Sequence, residues 1–155
     1  MWKNIPKDIN DYLGFVYIIE NNSKLGDDGK PRFYIGQKKF WFKKTLPPLK
    51  GKKRKRRSLV ESDWLTYTGS SNSLNEDISS GDHITKTILH LCEDKWSMNF
   101  IEMVEQVARG VLLTENSYNG IISTRINKCP KGIIKNQSLI TEEILKDSRS
   151  KTRQI

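Results

Sequence analysis

Two tyrosines, two glutamates and a run of cations are the residues of this chain whose types and spacing could do chemistry. Tyr17 stands in Gly14-Phe15-Val16-Tyr17-Ile18-Ile19 and Tyr34 in Arg32-Phe33-Tyr34-Ile35-Gly36-Gln37-Lys38. Both stretches are rich in β-branched and aromatic residues, and turn formers fill Asn21 to Pro31 between them, so the pair reads as a β-hairpin. Alternation puts Phe15, Tyr17 and Ile19 on one face of the first strand and Tyr34 with Gly36 on one face of the second, where two phenols can stand near each other. Glu102 and Glu105, three apart in a helical pattern, occupy neighbouring parts of one helix face. Phenols and carboxylates are proton-transfer and metal-binding groups. In Lys50-Gly51-Lys52-Lys53-Arg54-Lys55-Arg56-Arg57 the cations repel one another unless phosphates or counterions are near. Just upstream, Lys38-Lys39-Phe40-Trp41-Phe42-Lys43-Lys44 brackets aromatics with lysines, which suits nucleic acid and equally suits a strand that caps the core.

Several elements must position these groups. Ser71 or Asn72 is a plausible N-cap for a short helix over about 72 to 80, and Ile84 to Cys92 alternates as a third strand. From Lys95 to Val111 the apolar residues Trp96, Phe100, Ile101, Val104, Ala108 and Val111 recur at three and four, predicting an amphipathic helix that ends near Gly110. Ile121 to Ile126 reads as a final extended piece. The expected fold class is α/β (α+β), a small three-stranded mixed or antiparallel sheet flanked by helices. Residues 1–13 are expected to pack beside the hairpin as a short segment and 14–128 to form the domain. Residues 43–61 are expected to be a basic insertion loop that orders on its partner, broken by Pro47, Pro48 and Gly51. Residues 129–155 read as a mobile basic tail with a short helix through Leu139 to Lys146.

With 155 residues there is room for one domain with a real core. Lys and Arg number 27 against 18 acids, a net charge of +9, which favours a polyanionic partner. Cys92 and Cys129 are widely separated and lack zinc-site spacing, so both are expected to be free thiols in a reducing compartment. No apolar run approaches a membrane span or the core of a signal peptide, and the expected location is the cytoplasm, with no membrane partner. His83 and His90 are assigned no catalytic role.

Phe15-Val16-Tyr17 and Tyr34-Ile35-Gly36 together resemble the two strand motifs of the GIY-YIG nuclease family, with Phe and Val replacing the Gly and Ile of the first motif and sixteen residues between the tyrosines. Tyr67-Thr68-Gly69-Ser70-Ser71 before a helix is similar to the segment after the second motif in phage-borne members carrying an insertion there. A helical acid followed by Tyr118-Asn119 is similar to the family's closing pattern. The resemblance spans residues 14 to 126. It implies a metal-dependent DNA endonuclease, from a phage or mobile element, using Mg²⁺ or Mn²⁺. In that pattern Tyr17 helps deprotonate the attacking water, Tyr34 orients water or phosphate, and Asn119 braces the site. The metal falls to Glu105, favoured over Glu102 by its fourteen-residue distance from Asn119. The family's helix arginine is missing, since the helix after Gly69 offers Asn75, Glu76 and Asp77. Lys38 or Lys39, or Arg54, Arg56 or Arg57 folding back, would have to grip the phosphate in its place. The nucleic-acid-binding candidates are Lys39, Trp41, Lys52, Lys53, Arg54, Lys55, Arg56 and Arg57. DNA is the expected partner, although the same cations suit RNA. The alternatives are a non-catalytic nucleic-acid-binding protein on this scaffold and a basic RNA-associated structural protein.

Overall fold

A computed structural model describes residues 1–152, with side chains through residue 149. Its centre is the predicted hairpin. Strand β2 (Gly14–Leu25) pairs antiparallel with β3 (Pro31–Lys39), Tyr17 lying directly opposite Gly36. The third strand, here β6 (Ile84–Cys92), pairs antiparallel with the other side of β2. The sheet has one strand more than the sequence suggested, because β1 (Trp2–Lys3) adds parallel to β6 and gives the order β1-β6-β2-β3. Trp2 explains why so short a strand forms. Its ring is buried against Phe15 and Tyr17, and its indole N–H donates to the Trp64 carbonyl at 2.8 Å.

The strict alternation of β2 divides the core into two layers. Phe15, Tyr17 and Ile19 join Trp2, Phe40, Trp64, Leu74, Ile88 and Tyr118 on one face, where α1 (Asn72–Ser79) inserts Leu74. Val16 and Ile18 point to the opposite face and pack with Ile35 of β3 and with Met98, Ile101 and Val104 of α2 (Lys95–Ala108). Each large side chain so buried contributes on the order of 1.5–3 kcal/mol. Ser71 caps α1 and Asp94 caps α2, each accepting a backbone N–H from the first turn of its helix. A bulge in β6 turns both Leu89 and His90 toward α2.

Two segments differ from expectation. The basic insertion is not a loop throughout but a two-stranded ribbon, β4 (Trp41–Leu46) paired antiparallel with β5 (Arg56–Glu61), the prolines and Gly51 lying in its connection. Its strands alternate weakly, yet six residues on either side of a Pro-Pro-containing connection suffice for a register. The tail carries α3 (Ile134–Thr152), far longer than the short helix expected, and Ile144 is buried against α2. Ile140 and Ile144, four apart, turn one apolar face toward α2, and Gln137 on the same face donates to the Ser97 hydroxyl at 2.8 Å.

Candidate active site

Gly36 governs how close the two tyrosines come. A Cβ there would lie 2.4 Å from the Tyr17 hydroxyl and 2.9 Å from the Tyr34 ring, so only glycine admits both phenols. Their ring centroids are 6.2 Å apart. Gly69, at φ +86°, brings its backbone against the Tyr34 ring in the same way and sets Ser70 so that its hydroxyl is 2.9 Å from the Tyr34 hydroxyl. Tyr67, two residues earlier, packs edge-on to Tyr17. Lys38, on the same face of β3, holds its ammonium 3.8 Å over the Tyr67 ring and 2.6 Å from Asp63, whose carboxyl is lowered chiefly by that hydrogen bond. Tyr17 is almost wholly buried, and its pKa is raised well above the usual value by that burial first, then by Tyr34, Tyr67 and Glu102.

The free edge of β3 supplies the rest. Residues 116–119 run along it: Phe33 N–H donates to the Asn116 carbonyl and Tyr118 N–H to the Phe33 carbonyl. This aligns the Asn119 amide with Ile35, accepting its N–H at 2.9 Å and donating to its carbonyl at 2.8 Å. Asn119 thus completes a ladder that an edge strand would otherwise leave open. Between this segment and the start of α1 lies a cavity of about 300 Å³, lined by Tyr34, Ser70, Ser71, Glu102, Gln106 and Asn119 among others.

The two candidate acids part company here. Glu102 lines that cavity and accepts a 2.6 Å bond from the Gln37 side-chain amide. Its carboxyl is raised above the usual range by burial, which the Gln37 bond only partly offsets. Among the described residues no cation forms an ion pair with it. Glu105, which the spacing to Asn119 favoured, is turned away from the tyrosines. It is buried beneath α2, 2.7 Å from His90 Nε2 and 2.9 Å from Arg109 Nε, and borders a separate cavity of about 740 Å³. Burial would raise its carboxyl, but His90 and Arg109 outweigh burial and leave it below the usual value. The 60° between the two positions on the helix is enough to send them to different cavities.

Tyr17, Tyr34, Lys38, Glu102 and Asn119 therefore come together, while Glu105 does not. The missing helix arginine has no replacement from the ribbon. Arg57 and Arg56 stand four and five residues along β5 from its base at Glu61, about 13–17 Å away at strand rise. Lys38 is the cation beside the phenols. Lys39 sits at the ribbon's foot, where its carbonyl accepts the Ser62 hydroxyl. Trp41 is partly packed on the core with its indole N–H 3.4 Å from the Ile9 carbonyl, leaving Phe42 as the more exposed aromatic. Lys52, Lys53, Arg54 and Lys55 lie exposed at the ribbon tip. Sequence reasoning assigned nothing to Tyr67, Gln37 or Gln106. The Tyr67-x-Gly69-Ser70 pattern was visible, but which residue of it faces Tyr17 depends on the turn at Gly69.

Among the described residues no group of three or more His, Cys, Asp or Glu is arranged to enclose a metal. Phenols, a lysine, a carboxylate and a bracing amide thus lie together at the edge of a small mixed sheet. A family model described as "Putative endonuclease segE, GIY-YIG domain" matches residues 2–122, and the chain belongs to this GIY-YIG nuclease family. No curated protein and no solved structure matches the chain. Among the described residues no helix is long and apolar enough to cross a membrane.

Proposed function

We propose that this nuclease is a divalent-metal-dependent DNA endonuclease whose metal acid is Glu102. The observation that supports this most is the convergence of Tyr17, Tyr34, Lys38 and Glu102 at one end of the β2–β3 pair, with Asn119 holding the edge. Glu102 fits a divalent cation on electrostatic grounds. It is a desolvated carboxylate hydrogen-bonded to a neutral amide, and Mg²⁺ needs few protein ligands because it keeps several waters. Bound there, Mg²⁺ or Mn²⁺ would neutralise charge gathering on the phosphate and its leaving oxygen.

The protein's own groups have separable parts. Because burial keeps the Tyr17 phenol neutral at pH 7, its contribution is to orient and polarise the attacking water by hydrogen bonding; a standing phenolate base is not available. Tyr34, steadied by Ser70, presents a hydroxyl to a phosphate oxygen. Lys38, from β3, supplies a positive charge beside the phenols in the absence of the helix arginine, as a point charge in place of a bidentate fork. Asn119 keeps Ile35, and with it Tyr34 and Gly36, in register.

A second reading, a nucleic-acid binder that has lost hydrolysis, draws on the absence of arginine from α1. Incubation of the purified protein with supercoiled plasmid separates the two. The endonuclease reading expects nicked and linear products with Mg²⁺ and none with EDTA; intact plasmid under both conditions would leave only the binder.

A further inference from the structure

The ribbon's charge and shape point to how the substrate is held. Of the chain's 27 lysines and arginines, nine lie within residues 41–61, against one of its 18 acids, leaving 18 cations and 17 acids over all the rest. The net charge of +9 thus resides almost wholly on β4, β5 and their connection. The single acid, Glu61, is engaged at the ribbon's foot by the Trp64 indole. Beyond Trp41, which packs partly on the core, both faces of the ribbon are largely open to solvent, with Phe42, Leu59 and Val60 substantially exposed. A two-stranded ribbon with no face on a core is marginal in water, and this one also carries the mutual repulsion of its cations.

Its foot, by contrast, is fixed. Phe40 is fully buried, its N–H donates to the Leu13 carbonyl, and its own carbonyl accepts the Ser62 N–H. Lys38, two residues before Phe40, belongs to the candidate active site. The ribbon is therefore a rigidly rooted arm that starts beside the reacting groups and extends about 20 Å over six residue pairs at strand rise. The two strands lie about 5 Å apart, in a layer about 10 Å thick with its side chains. A B-form major groove about 12 Å wide accepts such a ribbon, whereas the deep, narrow major groove of an A-form helix does not.

We propose that β4 and β5 enter the major groove of duplex DNA, with Lys43, Lys44 and the 50–57 cations on the flanking phosphates, and that the cleaved phosphate lies within one helical turn of that contact. Phe42 and Val60, paired across the two strands on one exposed face, are placed to meet thymine methyl groups on the groove floor. This rests on DNA being the substrate, but binding is measured in EDTA, so a failure of hydrolysis leaves it untouched.

The test is fluorescence anisotropy with a 30-base-pair DNA duplex, the same sequence as duplex RNA, and its single strand. The expected result is at least tenfold tighter binding to duplex DNA than to either alternative. Methyl green, a major-groove ligand, is expected to weaken binding at least tenfold, and netropsin, a minor-groove ligand, less than twofold. Replacing residues 47–55 with Asn-Gly should remove both the affinity and the methyl green sensitivity. Should that variant not fold, as judged by its thermal melt, the combined Lys52→Gln, Lys53→Gln, Arg54→Gln and Lys55→Gln variant at exposed positions carries the test. Equal binding to duplex RNA or single strand, displacement by netropsin in place of methyl green, or unaltered affinity in the ribbon variants would overturn the proposal.

Discussion

At the scale of single residues, the decisive contrast is between two carboxylates one helical turn apart. Glu105 is stabilised as an anion by His90 and Arg109. Its folded pKa is lowered, so its stabilisation is present above the unfolded value and is lost as pH falls through the folded one. Glu102 is shifted the other way. Its contribution is greatest at acid pH and is lost as pH rises through the raised folded value, leaving a carboxylate at pH 7 that the fold tolerates at a cost. Two opposite outcomes follow. Glu105→Gln should lower stability by about 3 kcal/mol, because a buried charge pair loses one partner, seen as a fall in Tm on the order of 6–12 °C, while cleavage by the folded protein persists. Glu102→Gln should leave Tm unchanged or raised and abolish plasmid cleavage while retaining DNA binding. The reverse pattern would return the metal to Glu105. The shift of the metal-free carboxyl also predicts that Mg²⁺ competes with a proton on Glu102, so the Mg²⁺ concentration needed for cleavage should rise as pH falls, starting above the ordinary glutamate range; Mg²⁺ titrations of cleavage at several pH values read this. Tyr17→Phe deletes one hydroxyl and keeps the packed ring, so it should fold normally and lose about 100-fold or more of activity; undiminished cleavage would remove Tyr17 from the mechanism.

At the scale of elements, the site depends on two glycines and one amide that hold β3 where it is. Gly36→Ala would set a methyl against the Tyr17 hydroxyl and the Tyr34 ring. The tyrosines must then separate, and activity should drop about 100-fold or more even though no reactive group is removed. Circular dichroism should show the sheet retained. Asn119→Ala leaves the Ile35 N–H without its partner and the Ile35 carbonyl with only the longer bond from Gln106, which costs on the order of 1–3 kcal/mol. Because the loosened strand carries Tyr34, turnover should fall together with Tm in this variant. Intact turnover alongside a lowered Tm would make Asn119 a stabilising brace only.

At the scale of the whole molecule, charge is separated from chemistry. The body bearing the phenols is nearly neutral, and the arm bearing the cations holds none of the phenols or candidate acids. Affinity and hydrolysis should therefore be separable by mutation. Replacing Arg54, Arg56 and Arg57 together with Gln should lower the slope of log affinity against log salt by about three units, since each lost phosphate contact removes roughly one. Binding titrations from low to high salt check this, and an unchanged slope would make the arm a bystander. The body itself is closed by α3, which covers α2 with Ile140 and Ile144.

The sequence by itself determined the parts whose order is local. Alternation in 14–19 and 32–38 set the hairpin and the faces of its tyrosines, Ser71 or Asn72 marked the start of α1, and three-and-four spacing marked α2, because these patterns depend on neighbours within a few residues. The same local strength made the GIY-YIG resemblance legible from a handful of letters. What only the tertiary structure decided were the contacts between elements. Whether Glu102 or Glu105 faces Tyr34 depends on how α2 is rolled against the sheet, and counting residues to Asn119 cannot register a 60° rotation. The pairing of Trp2 with β6 and the strand character of 56–61 arise from partners ten or more residues away. The length of α3 arises from a face that is worth burying only because α2 presents one opposite it.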